Sequence, residues 1–219
     1  MDFQAARTKM VDNQIRTTDV TSHSVLSAFL SVPREAFVPE RKKALAYIDT
    51  DIALSDAEGG RYLMEPSPLA KLLQFAEIAK SDSVLEIGSG TGYGAALLAH
   101  IATQVVALES DDALAATAKD TLTSLGLSTV TVVTGPLEAG YPKLAPFDVI
   151  FIHGAVETVP PALLDQLKDG GRLVAVVGYG NASRAKLFLR EGARTSERLG
   201  FNTAVKALPG FRLAKEFVF

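Results

Sequence analysis

The sequence predicts an α/β fold: a Rossmann-like, doubly wound sheet of seven strands with helices ahead of it and an antiparallel hairpin at one edge. Three observations carry that expectation. Between residues 83 and 178, short aliphatic runs alternate with amphipathic segments, as parallel strands joined by crossover helices require. The stretch Val84-Leu85-Glu86-Ile87-Gly88-Ser89-Gly90-Thr91-Gly92-Tyr93-Gly94 is a strand that enters a glycine turn and then the small-residue helix start Ala95-Ala96-Leu97. After Gly178 the pattern changes, and Ala185 to Leu189, the Glu191-Gly192 turn and the segment from Ala193 read as a hairpin.

The elements follow in order. Residues 4–32 repeat apolar side chains at helical spacing, with Met10, Ile15, Val25, Leu26, Phe29 and Leu30 as candidate buried positions. Thr21 or Ser22 is placed to cap a helix over 24–32, which Val32-Pro33 ends. Pro33-Arg34-Glu35-Ala36-Phe37-Val38-Pro39 reads as a stiff extended connector that lays Phe37 on the core. Residues 40–60, with Asp49, Asp51, Asp56 and Glu58 ahead of Gly59-Gly60, read as a mobile loop or lid. Ser67 as cap and Pro68 at the first position predict a helix over 67–79. There follow strand 83–87, helix 93–101, strand 104–109, helix 112–125 capped by Ser110 or Asp111, strands 129–134 and 147–152, helix 160–168 and strand 171–178.

A length of 219 residues suits a single domain, 1–219, with an N-terminal helical segment over 1–80, a ligand-binding core over 81–180 and an antiparallel edge over 181–219. Hydrophobic residues at 47% and charged residues at 21% belong to a globular protein, and a net charge of −3 argues against a general grip on nucleic acid. There is no cysteine, and the three histidines, His23, His100 and His153, show no ligand spacing, so no metal site is expected. Without a signal core or a run of about 18 apolar residues, a cytoplasmic protein with no membrane partner is the expectation.

The glycine turn narrows the ligand. A dinucleotide fingerprint counted from Gly88 and Gly90 would put its third glycine at Tyr93. Glu86, at the strand end, would repel a pyrophosphate seated on the helix amino terminus, so a ligand with positive charge is expected. S-adenosyl-L-methionine carries an ammonium and a sulfonium. Glu-x-Gly-x-Gly-x-Gly at such a turn resembles the first motif of the seven-stranded, class I methyltransferases; a structural turn and another nucleotide site are the alternatives. The next strand ends in Glu109, where a carboxylate accepts hydrogen bonds from ribose hydroxyls. The cofactor-side candidates are Glu86, Gly88, Ser89, Gly90, Gly92, Glu109, Ser110 and Leu137, the last as a backbone donor to adenine because Pro136 has no N–H. His153-Gly154-Ala155 ends the fourth strand where an acceptor would approach, with His153 a proton acceptor, an orienting group or a packed side chain. A carboxylate acceptor, ionised near neutral pH, needs no general base, since positioning and desolvation supply the acceleration.

The order of the pieces resembles the protein-L-isoaspartate O-methyltransferases over most of residues 9–178. The resemblance rests on Met10 to Arg16, Val32 to Pro39, Ala46-Tyr47, Val84 to Ala99, Ala145 to Asp148, Leu163 to Lys168 and Gly170 to Gly178. It implies methyl transfer from S-adenosyl-L-methionine, leaving S-adenosyl-L-homocysteine, to the carboxylate of isomerised aspartate in a damaged protein or peptide, a repair reaction. At the position of the family's catalytic serine this chain has Met64, and the family's Gly-Asp-Gly is here Gly135-Pro136-Leu137. Tyr62, Met64 and His153 are the acceptor-side candidates, with no catalytic residue assigned. A different, small-molecule acceptor and a catalytically silent binding protein remain as further readings.

Overall fold

The computed structural model describes residues 1–55 and 60–212. Its larger sheet has seven strands: β3 (Ser83–Ile87), β4 (Gln104–Glu109), β5 (Val130–Thr134), β6 (Phe147–Val156), β7 (Leu167–Val177), β8 (Arg184–Glu191) and β9 (Arg194–Asn202). They lie in the order β5-β4-β3-β6-β7-β8-β9. The first five are parallel, and β8 and β9 are antiparallel, as the change in pattern after Gly178 predicts. The chain builds outward from β3 to β5 and then returns to the other side of β3. The crevice beyond the carboxyl ends of β3 and β6 is therefore the switch point where such sheets hold ligands.

Period-two alternation divides the strands between two cores. Val84, Val105, Val149, Phe151 and Val174 face α2 (His23–Ser31), α3 (Pro66–Phe75), α4 (Tyr93–Ile101) and α5 (Asp112–Ser124). Leu85, Ile87, Leu108, Ile150 and Leu173 face the other way, onto Leu163 of α6 (Pro161–Leu164), Leu208 and Phe211. The amino terminus opens with α1 (Phe3–Met10), whose N-cap Asp2 accepts from Ala5, and continues through a π-type turn over Val11–Ile15.

Several expectations need correction. Leu30 is exposed: Leu26 and Phe29 already face inward, and one further residue turns about 100° away. Ser22 stands at the N-cap of α2 without a side-chain bond to it; its amide donates to Gln74 Oε1 instead. The 33–39 connector is not extended throughout, because Ala36 donates to the Pro33 carbonyl and closes a 3₁₀ turn over Arg34–Phe37. Phe37 is buried all the same. Glu65, not Ser67, is the N-cap of α3, which begins at Pro66 and stops at Phe75, and Ser67 Oγ bonds Thr18 Oγ1.

The helix foreseen over 160–168 ends at Leu164 because the Phe147 amide takes the Gln166 carbonyl and Leu167 already pairs with Phe147 in the sheet. The segment 40–60 also has structure of its own: a 3₁₀ stretch over Glu40–Leu45, and β1 (Ile52–Ala53) paired with β2 (Tyr62–Leu63). Asp51 ties this segment to the start of α3, since its Oδ1 accepts the Glu65 amide. Asp56, Glu58 and Gly59 lie outside the described residues.

Candidate functional site

The turn between β3 and α4 is held against β4 by the Gly88 and Ser89 amides, which both donate to the Leu108 carbonyl. Gly88, Gly90 and Gly92 have φ of 85°, 57° and 94°, conformations that a side chain disfavours. Gly94 is needed for a different reason: a Cβ there would lie 1.9 Å from Glu86 Oε1 and 2.6 Å from His153 Nδ1. Glu86 is fully buried, and its Oε1 accepts from His153 Nδ1 at 2.7 Å. A carboxylate accepts only, so Nδ1 carries the proton. Glu86 Oε2, Ser89 Oγ and His153 Nε2 are buried with no hydrogen-bond partner among the described residues. Buried polar atoms are normally paired, and an unpaired carboxylate oxygen beside three positive-φ glycines fits a cationic donor such as the ammonium of S-adenosyl-L-methionine.

Glu109, at the end of β4, is also fully buried, but both of its oxygens have partners. Its Oε1 accepts from the Ser110 and Asp111 amides and from Arg61 Nη1 at 3.0 Å; its Oε2 accepts from the Gly90 amide at 2.7 Å. Ser110 is exposed, with Oγ 3.3 Å from Glu109 Oε1, and Asp111 is the cap of α5, bonding the amides of Ala113 and Leu114. Burial lowers the Arg61 pKa from its ordinary value, and the charges of Glu109 and Glu86 oppose that. Thr91 Oγ1 donates to the Phe37 carbonyl, which ties the 33–39 connector directly to the glycine turn.

Tyr62, Met64 and His153, the acceptor-side candidates, lie together in the structure. Together with Arg61, Lys206 and Leu208 they line a cavity of about 10 Å³, room for no more than one water. Met64 is buried, and its carbonyl accepts from Arg34 Nη2 at 2.8 Å. Arg34, itself fully buried, also donates to the Ala46 carbonyl and lies 4.9 Å from the centre of the Tyr93 ring. Lys206 stands 5.1 Å from the centre of the Tyr62 ring. Leu137 begins a 3₁₀ turn after β5, and its side chain is buried among the second core rather than in the crevice. Larger clefts, of about 450 and 470 Å³, lie against α5 and β5 and at the amino ends of the strands, and among the described residues neither is lined by an acidic side chain. Chemistry, not size, marks the site.

Sequence reasoning missed Arg61, Gly94, Arg34 and Leu208. Arg61 had a faint signal, a lone cation directly after an acidic loop. Gly94 continued the glycine alternation without a stated role. Nothing local marks Leu208, which reaches the site because Lys206 and Leu208 pair with Ala155 at the end of β6.

A model of the family described as protein-L-isoaspartate(D-aspartate) O-methyltransferase matches residues 5–204. The chain is similar to a protein-L-isoaspartate O-methyltransferase of Koribacter versatilis (strain Ellin345), 42% identical over 176 residues that make up 80% of this chain and 78% of that protein. It is also similar to a solved protein-L-isoaspartate O-methyltransferase, with a TM-score of 0.82 and 28% identity over 94% of this chain and 67% of that one. A Plasmodium falciparum structure in complex with S-adenosyl-L-homocysteine shares the fold at a TM-score of 0.77 and 16% identity, over 96% of this chain and 99% of that one.

Proposed function

From the premise that the chain belongs to the protein-L-isoaspartate(D-aspartate) O-methyltransferase family, we propose that it methylates the free carboxylate of isoaspartyl residues in damaged proteins or peptides, using S-adenosyl-L-methionine. The observation that carries the cofactor assignment is the buried Glu86 carboxylate, bonded to His153 through one oxygen and unpartnered at the other, beside three positive-φ glycines. In this reading Glu86 Oε2 and Ser89 hold the amino-acid end of the cofactor, Gly88, Gly90 and Gly92 give its backbone approach, and Glu109 with Ser110 takes the ribose. The backbone at Leu137 borders the adenine.

Bound, the cofactor supplies an electrophilic methyl group on a sulfonium. That methyl group would pass to an acceptor carboxylate oxygen, with the sulfur as leaving group. The protein's share is alignment and water exclusion. Lys206, at the mouth of the site beside Asp51 and Tyr62, offers a cation to an anionic acceptor. Met64, at the position of the family's serine, offers the acceptor a thioether surface in place of a hydroxyl donor. That substitution favours a second reading, in which the same transfer serves a small-molecule carboxylate. We read the chain as a single methyltransferase domain that acts in the cytoplasm; among the described residues no helix is long and apolar enough to cross a membrane.

The test is transfer of labelled methyl to an isoaspartyl peptide and to its normal aspartyl twin. Label on the first alone is expected, released by mild base as an ester would be. Met64→Ser should raise the rate on the order of tenfold by restoring a donor in the transition state. Cofactor binding with no transfer to either peptide would favour the small-molecule reading.

A further inference from the structure

Arg61 lies where a ligand of the glycine turn would lie. Its Nη2 donates to the Gly88 carbonyl at 2.7 Å and its Nη1 to Glu109 Oε1 at 3.0 Å, and the side chain is only 10% exposed. A Cβ built on Gly88 would meet Arg61 Nη2 and Leu208 Cδ2, each at 2.9 Å, and one on Gly90 would meet Leu54 Cδ1 at 2.9 Å. The close approach that glycines permit is therefore used by the protein's own side chains.

Leu54 and Arg61 belong to one unit. The Leu54 amide donates to the Arg61 carbonyl at 2.8 Å, next to the pairs Ile52 with Leu63 and Ala53 with Tyr62. The unit is anchored at its far end, where Arg34 holds the Met64 carbonyl. The remaining cavity, about 10 Å³, is far below the few hundred Å³ that small-molecule sites require. Glu109 Oε1 already accepts from the Ser110 and Asp111 amides and from Arg61, so a ribose hydroxyl gains a bond to that oxygen only by replacing a donor. The backbone amides of Ser110, Asp111 and Gly90 are fixed in the strand-end and the turn; the Arg61 guanidinium and the Ser110 hydroxyl are the side-chain donors that can leave, and Arg61 is the one that also bonds the Gly88 carbonyl.

We propose that Arg61 is an autoinhibitory occupant of the nucleoside seat: the hairpin β1–β2 and its guanidinium exchange with the cofactor at Glu109, so that binding and hairpin opening are one equilibrium. The proposal rests on the cofactor reading above. It means that the apparent affinity is the intrinsic one reduced by the fraction of molecules in which the hairpin is open.

Calorimetric titration with S-adenosyl-L-homocysteine decides it. Arg61→Ala and Arg61→Gln should each bind at least tenfold more tightly than wild type, and Arg61→Lys, which keeps the charge but loses the fork, should fall between. In wild-type protein the same ligand should speed amide hydrogen exchange at Leu54 and along β2, where an ordinary binding-site residue would be slowed. Affinity unchanged or weakened in both neutral variants, with their melting temperatures confirming a folded state, overturns the proposal and leaves the cofactor reading standing. Ligand that binds neither wild type nor any variant overturns the cofactor reading and this proposal with it.

Discussion

Glu86 and Glu109 end neighbouring parallel strands, and both are wholly buried, yet their surroundings differ. Glu86 has one bonded oxygen and one without a partner, in a pocket of backbone cleared by Gly94. Glu109 accepts from three backbone amides and from Arg61. A buried carboxylate with an open lone pair is costly in the empty protein and gains most from a charged donor. One with partners on both oxygens stabilises the empty protein and gives up a partner when a ligand arrives. The first acid is thus poised to bind, and the second is part of a closed resting state.

The largest effect should come from filling the space over Gly94 that the Glu86 carboxylate occupies. Gly94→Ala puts a methyl group 1.9 Å from Glu86 Oε1, so either the carboxylate or α4 must move. We expect S-adenosyl-L-homocysteine affinity to fall by about 100-fold or more and stability by about 2 kcal/mol, read by calorimetry and by chemical denaturation. A variant that binds normally would mean that the Glu86 pocket is not part of the ligand site.

The two acids can then be set against each other in the ligand-free protein. Glu109→Gln leaves the buried Arg61 guanidinium without its counter-charge and should cost about 3 kcal/mol of stability. Glu86→Gln keeps an oxygen for His153 and changes the unpaired one, and should alter stability by less than about 1 kcal/mol. Equal losses in urea melts would erase the distinction between a poised and a partnered acid.

Asp148, on the same sheet but far from the crevice, serves as a reference. Burial alone would raise its pKa, but bonds from Lys168 and from the Ser83 amide and hydroxyl overcome that and leave it below the ordinary value. A carboxylate depressed on folding stabilises the protein above its unfolded pKa, and that contribution is lost as pH falls through the folded value. Asp148→Asn should therefore cost about 1 kcal/mol at pH 7, with the group partly exposed, and the gap to wild type should close below roughly pH 4. A gap that widens in acid would reverse the sign of this linkage.

How much of this was legible follows from where the partners sit. Glu86, Gly88, Gly90 and Gly92 share one strand and one turn, and Glu109 ends the neighbouring strand, so periodicity and glycine spacing place them together. The sheet, its switch point and its antiparallel edge follow from the same local patterns. Arg61 reaches Glu109 from 48 residues away, and Leu208 arrives through pairing with Ala155; such contacts have no local period to read. Leu30 and the 3₁₀ turn at Arg34–Phe37 escaped for the opposite reason, because a helical repeat and a pair of prolines each permit more than one local geometry. Met64 was recognised by its position in a motif, while its anchoring by the buried Arg34 needed the fold.

The most direct test of the central claim asks whether Glu86 reads the charge at the amino-acid end of the ligand. Wild-type protein and Glu86→Gln are titrated with S-adenosyl-L-homocysteine and with 5′-methylthioadenosine, which keeps the nucleoside and sulfur but lacks the amino acid. The account predicts that wild type prefers the first ligand by about 30-fold or more and that Glu86→Gln removes most of that preference while binding the second ligand as wild type does, a coupling of about 2 kcal/mol. An undiminished preference in Glu86→Gln would contradict the assignment of this carboxylate to the cofactor.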